Sequence, residues 1–211
     1  MAVSNVEICN MALSRVGSYR ISSIDDASVE GRSCKLHYEQ ARDSVLRDHD
    51  WGFARKRLPL STLAEEYDGW EFAYLYPPDC VNVRKIYDGN GSSTGTSYDI
   101  DKNRYVPIGK VQYEIATNSG KNQKIILSDK EDALLIYTAR VTDANMFDSI
   151  FVQALSWRLA AELAIPLRGK IEFQDSFIQK YQFVLSEARG RDANESRNKD
   201  EDVNIFHMAR G

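Results

Sequence analysis

The sequence predicts an α+β fold: a helical bundle built from N- and C-terminal helices, an inserted antiparallel β subdomain, and an extended C-terminal tail. Three observations point there. Apolar residues recur at helical spacing before residue 50 and again after residue 148. Between them, β-branched and aromatic residues gather in short runs separated by turn clusters. From Gly190 to Asp202 the chain is almost wholly polar, and Val203, Ile205, Phe206 and Met208 follow at its end. The expected division is 1–50 for the first helices, 51–145 for the β subdomain, 146–190 for the last helices and 191–211 for the tail.

Ser4-Asn5-Val6-Glu7 has the form of a capping box, in which the Ser hydroxyl and the Glu carboxylate each take a free amide. The helix it opens carries Ile8, Met11, Ala12 and Val16 on one stripe and Val6, Cys9 and Leu13 on another, and Gly17 stops it. A second helix is expected from about Ser28 to about His49, with the seam Cys34, Tyr38, Ala41 and Val45. Trp51-Gly52-Phe53 breaks the pattern. Strands are expected at 72–76, 81–87, 111–116, 124–127 and 133–141, a flexible loop at 88–97, and a hairpin turn at Asn118-Ser119-Gly120-Lys121. A third helix begins at Asp148, is apolar on more than one side, and is expected to be the most buried. Pro166 and Gly169 end it. A last helix from about Ile171 to Ala188 shows Phe177, Ile178, Tyr181, Leu185 and Ala188 as its stripe. The polar stretch after it reads as a weak helix extension or an arm.

Composition narrows the function. The chain has 211 residues, 43% hydrophobic and 27% charged, which suits a globular protein with a sizeable core. Its net charge of −4 argues against a strongly basic nucleic-acid binder. Cys9, Cys34 and Cys80 are widely spaced, so buried free thiols in a reducing cytoplasm are expected instead of a disulfide framework or a zinc site. The N-terminus lacks the form of a signal peptide, and the apolar stretch 150–165 reads as too short and too polar for a membrane span.

The search for catalytic groups returns little. His37 and His49 lie about 120° apart around the second helix and do not converge on one metal. His207 stands in the tail. Asp99-Ile100-Asp101-Lys102-Asn103 begins like a calcium loop, but Arg104 and Lys110 stand where Gly and Glu are required. The glycines at 89, 91 and 95 do not form a phosphate loop. The carboxylate pairs Glu65-Glu66, Asp129/Glu131 and Glu71/Asp79 are the candidates for acid–base work, and such pairs are common on surfaces. Arg55-Lys56-Arg57 is the densest basic cluster. On a strand, Arg55 and Arg57 share one face and Lys56 takes the other. These three are candidate subunit-interface or channel charges. No catalytic, cofactor-binding or metal-binding residues are assigned.

One set of strings goes further. Trp51-Gly52-Phe53-Ala54-Arg55 ends a helix, and Tyr74-Leu75-Tyr76-Pro77-Pro78-Asp79-Cys80 follows. Phe147-Asp148-Ser149-Ile150-Phe151 then opens the long apolar helix, with Tyr181-Gln182 and Ala188-Arg189 beyond it. In this order and spacing the chain resembles the tail tubular protein A family, the head-to-tail adaptors of short-tailed bacteriophages. The resemblance runs over nearly the whole length.

The resemblance implies a structural virion protein with no enzymatic activity and no cofactor. Family members form a ring of twelve copies beneath the portal protein, bind a nozzle protein of the tail tubular protein B type below, and continue the DNA channel. Genomic DNA passes through without specific binding, and no membrane is involved. The protein would be made in the host cytoplasm and reside in the virion neck. Val203, Ile205, Phe206 and Met208 would bind the portal. The alternatives are a tail-associated cell-wall or polysaccharide hydrolase, an activity credited to some members, and another neck or head-completion protein.

Overall fold

The computed structural model describes residues 3–65, 67–88, 96–99, 104–107, 111–118, 120 and 122–204. The fold is α+β. The chain divides into two compact units, one formed by residues 1–49 and 141–211 and the other by residues 50–140.

The first unit holds four helices: α1 (Asn5–Val16), α2 (Val29–Asp48), α3 (Ser149–Arg168) and α4 (Ile171–Asn204). Ser4 caps α1 as a full capping box: the Glu7 amide donates to Ser4 Oγ at 3.1 Å and the Ser4 amide to Glu7 Oε2 at 2.7 Å. Gly17 closes α1 in the left-handed region, at φ 77°. Ser28 caps α2 through the Gly31 amide at 3.1 Å. Gly31 itself is required by a close approach, since a Cβ there would stand 2.3 Å from the carbonyl oxygen of Asp26.

Helix α3 packs against α1, α2 and α4. Its residues Phe151, Leu155, Leu159 and Leu163 are fully buried, each worth about 1.5–3 kcal/mol of transfer free energy. Gly169 ends it as expected, and Pro166 sits within the last turn. The stretch 150–165 was expected to be too short and too polar for a membrane span, but the helix is 20 residues long and an 18-residue window of it has a mean hydropathy of 1.3. By length and composition that is enough to cross a membrane. More than half of that window is buried inside the protein, as in a core helix.

Helix α4 runs to Asn204, so residues 191–204 continue the helix, the first of the two readings given for the polar stretch, where the domain division had an extended tail from 191. Local chemistry accounts for this. Arg191 Nη2 pairs with Glu187 Oε1 at 2.5 Å one turn earlier, and Ala193, Glu195, Arg197, Lys199 and Glu201 supply good helix formers between weaker Asp, Asn and Ser residues. Residues 205–211 lie outside the described residues.

The second unit contains β1 (Arg55–Pro59), β2 (Thr62–Leu63), β3 (Phe72–Leu75), β4 (Cys80–Asp88), β5 (Thr96–Asp99), β6 (Arg104–Pro107), β7 (Tyr113–Asn118), β8 (Gln123–Ser128) and β9 (Ala133–Ala139). All pairings are antiparallel: β1-β9-β4, β2-β3-β8-β7 and the ribbon β5-β6. The core draws on both larger sheets, with Tyr74 and Ile126 from one and Ile86, Leu135 and Tyr137 from the other. Ala73, Ile125 and Leu127 alternate to the far face and meet Leu63, Tyr67 and Trp70.

One reading of this unit changes. Asp88 belongs to β4 and Thr96 and Ser97 to β5, where a loop was expected over 88–97, and residues 89–95 lie outside the described residues. Asp99 ends β5 opposite Arg104 of β6, so these residues of the calcium-like string stand in a ribbon, while 100–103 lie outside the described residues. Strands β7 and β8 pair on either side of the expected turn at 118–121, with Asn118 opposite Gln123, while Ser119 and Lys121 lie outside the described residues. There Asn122, at φ 51°, takes the left-handed conformation, one that asparagine tolerates.

Candidate functional surfaces

Each unit presents residues of interest at its surface. On the β unit they begin with β1, which ends its sheet and is exposed along its whole length. Arg55 grips Asp50 in a two-point pair, Nη2 to Oδ2 at 3.1 Å and Nε to Oδ1 at 3.3 Å. Lys56 Nζ lies 2.6 Å from Asp79 Oδ2, and the Tyr137 hydroxyl donates to Asp79 Oδ1 at 3.1 Å. Arg57 has no carboxylate partner among the described residues. The structure therefore brings two of the three basic residues into ion pairs and leaves the third open.

Asp79 sits at a point of competing influences. Partial burial pushes its carboxyl up, and the Lys56 and Tyr137 contacts outweigh this, so it lies below the usual carboxylate range. Tyr137 moves the other way. Burial first, then its bond to Asp79, push the hydroxyl up to about 12.

Beside β1 opens a cleft of about 720 Å³ lined by residues 58–61 and 75–80, with Gln123, Lys124, Tyr137 and Arg140. The string Leu75-Tyr76-Pro77-Pro78-Asp79-Cys80, part of the family resemblance, forms one wall. The Lys124 ammonium stands 5.6 Å from the centre of the Tyr76 ring. Leu58 and Leu75 are exposed at this cleft.

On the helical unit the notable residues are Leu36 of α2, 73% exposed, and Phe183 of α4, 68% exposed. At about 100° per residue, Leu36 points away from the seam of Cys34, Tyr38, Ala41 and Val45. Phe183 likewise points away from Tyr181, Val184, Leu185 and Ala188. Sequence reasoning passed over both. The signal was present, since each is a large apolar residue lying off its helix's stripe.

The tail residues fall differently. Val203 stands in the last turn of α4, and Ile205, Phe206 and Met208 lie outside the described residues. Of the carboxylate pairs, Glu65 accepts from the Tyr67 hydroxyl at 3.1 Å and from Asn118, and Asp129 accepts the Glu71 amide at 3.3 Å. Glu66 lies outside the described residues. Cys9, Cys34 and Cys80 are buried, and none of them forms a disulfide. Cys9 and Cys34 contact each other across α1 and α2; that hydrogen bond, with burial, pushes the Cys9 thiol up. His49 is buried at the C-terminal cap of α2. Among the described residues no group of His, Cys, Asp and Glu side chains would hold a metal ion.

No protein-family model matches the chain, and no curated protein matches it.

Proposed function

We propose that this protein is a ring-forming head-to-tail adaptor of a short-tailed bacteriophage, joining the portal to the tail nozzle and continuing the DNA channel. The observation that carries the reading is the pair Leu36 and Phe183. A ring needs two different patches on one subunit, each meeting the other kind on its neighbour. Leu36 stands about 18 Å along α2 from Asp48, at 1.5 Å per residue. Asp48 is bonded to Tyr181, two residues from Phe183. Leu36 and Phe183 thus belong to separate places on the helical unit, which also exposes Tyr19, Val29 and Ile171.

The resemblance supplies the rest. An N- and C-terminal helical unit with an inserted β unit agrees with the architecture it implies, and the W-x-F-A-R and Y-x-x-P-x-D-C strings stand at the start and in the middle of the β unit. A net negative charge suits a channel wall past which DNA slides, because tight phosphate binding would hinder passage. In this reading Val203, Ile205, Phe206 and Met208 engage the portal, and subunits assemble as a ring of twelve.

The test is to mix the purified protein with its phage's portal, measure mass by light scattering and image particles end-on. A closed ring seated on the portal is expected. A protein that ignores the portal, or binds as a single copy, rejects the reading. Removal of residues 203–211 is expected to weaken portal binding, and unchanged binding would reject the role given to those residues.

A further inference from the structure

The β1 edge and its cleft lack an assigned partner, and their chemistry is specific. β1 pairs with β9 on one side, and its five residues are exposed. Such an edge is a template for an added strand. The Leu60 amide donates to Ala133 O at 2.9 Å, so alternation turns the amides of Lys56 and Leu58 toward β9 as well. The backbone of Arg55, Arg57 and Pro59 then faces the open edge. Pro59, which has no N–H, costs the existing sheet no bond.

The order of chemistry along β1 is three cations, then Leu58 and Leu60 at alternate positions. Lys124 and Arg140 on the cleft walls add positive charge, against the paired acids Asp50 and Asp79. The complementary order occurs once in this chain: Asp200, Glu201 and Asp202, then Val203 and Ile205 at alternate positions. Laid in parallel, each acid falls beside a cation, Val203 beside Leu58 and Ile205 beside Leu60.

The three acids also fall within the last five residues of α4, whose final turn contains no basic residue. A helix C-terminus carries partial negative charge, so acids there weaken the helix end. The segment is thus primed to leave the helix for a basic edge.

We propose that the β1 edge and its cleft take residues 200–206 of a second copy of this chain as an added parallel strand. The choice of a second copy rests on the ring reading, since neighbours in a ring present the segment at high effective concentration. Because the same residues are assigned to the portal, the β1 edge is where they rest before the portal is engaged.

The test separates docking from ring formation. A labelled peptide of residues 198–208 is titrated into the full-length chain carrying Asp200→Lys, Glu201→Lys and Asp202→Lys, whose own segment no longer competes. Saturable binding is expected, weakening about tenfold or more in high salt and when Arg55→Glu and Arg57→Glu are added. A peptide with its three acids replaced by Lys is expected not to bind. That comparison needs no change to β1, so it stands even where the β1 variant misfolds. Absence of binding, or binding indifferent to charge reversal in the peptide, overturns the docking site. For the second copy, sedimentation of the unaltered protein without portal is expected to show association that Arg55→Glu and Arg57→Glu abolish. A monomer at every concentration overturns that choice of occupant. Portal binding tests the ring reading separately.

Discussion

The Tyr181 hydroxyl donates to Asp48 Oδ2 at 2.6 Å, closing a contact between residues 133 positions apart. Arg189 Nη2 adds a bond to the Asp48 carbonyl at 3.2 Å. The last residue of α2 is thereby held twice by α4. This links the two ends of the sequence within the helical unit, and it has a measurable signature.

Burial first, then the bond to Asp48 and its charge, raise the Tyr181 hydroxyl above its ordinary value. Burial does the same to Tyr38, whose hydroxyl donates to Asn5 Oδ1 at 2.8 Å. A tyrosine whose folded-state pKa is raised binds its proton more tightly when folded. Its stabilising contribution is complete below about pH 10, the unfolded value, and is lost as pH climbs through the folded one. Denaturant unfolding is therefore expected to show falling stability above about pH 10. In Tyr181→Phe that fall should be smaller, with about 0.5–1.5 kcal/mol lost at neutral pH. An alkaline profile identical to the parent's would contradict this.

Gly31→Ala is expected to destabilise the protein although alanine is the better helix former. The new Cβ meets the Asp26 backbone at 2.3 Å, so residues 22–28 must shift. Overpacking of this kind costs about 1–3 kcal/mol. Thermal denaturation measures it, and a raised Tm would show that the approach is looser than described.

Arg168 closes the C-terminal end of α1 from the far side of the sequence. Its Nε donates to Val16 O at 2.9 Å and its Nη2 to Gly17 O. Arg168→Ala removes both and is expected to cost about 1.5–3 kcal/mol, the range for bonds to a charged group. Amide exchange in the last turn of α1 should quicken most. Unchanged protection there would mean that water replaces the guanidinium without loss.

Leu36→Asp and Phe183→Asp separate assembly from folding. Both side chains are exposed, so the subunit's own stability should change by no more than about 0.5 kcal/mol. Assembly on the portal should fall about tenfold or more, because a charge buried without a partner is costly. Normal rings from both variants would remove these residues from the interface.

The helices were legible because their ends are written in local chemistry. Ser4, Glu7, Gly17, Ser28 and Gly169 act on residues within one turn, so the caps of α1 to α3 could be read directly. The end of α4 was legible only as a choice, because polarity after Gly190 suits a helix extension or an arm alike, and the Glu187–Arg191 pair one turn apart favours the helix. The strands that bury apolar side chains, such as β8 and β9, also stood out. The exposed β1, the two-residue β2 and the polar ribbon of β5 and β6 did not carry that alternation. The basic cluster was visible as a string, but its partners were not. Asp79 and Tyr137 reach Lys56 only through pairing across sheet strands far apart in sequence.

Arg55 and Thr138 face each other on paired strands, so the chain enters and leaves the β unit through neighbours. Paired strands run about 5 Å apart, a gap that a few residues of glycine and serine can bridge. Residues 50–140 therefore form a cassette, removable without threading the chain anew. Selection can rebuild what the cassette recognises while the helical frame keeps its own packing, and each half can vary at its own pace.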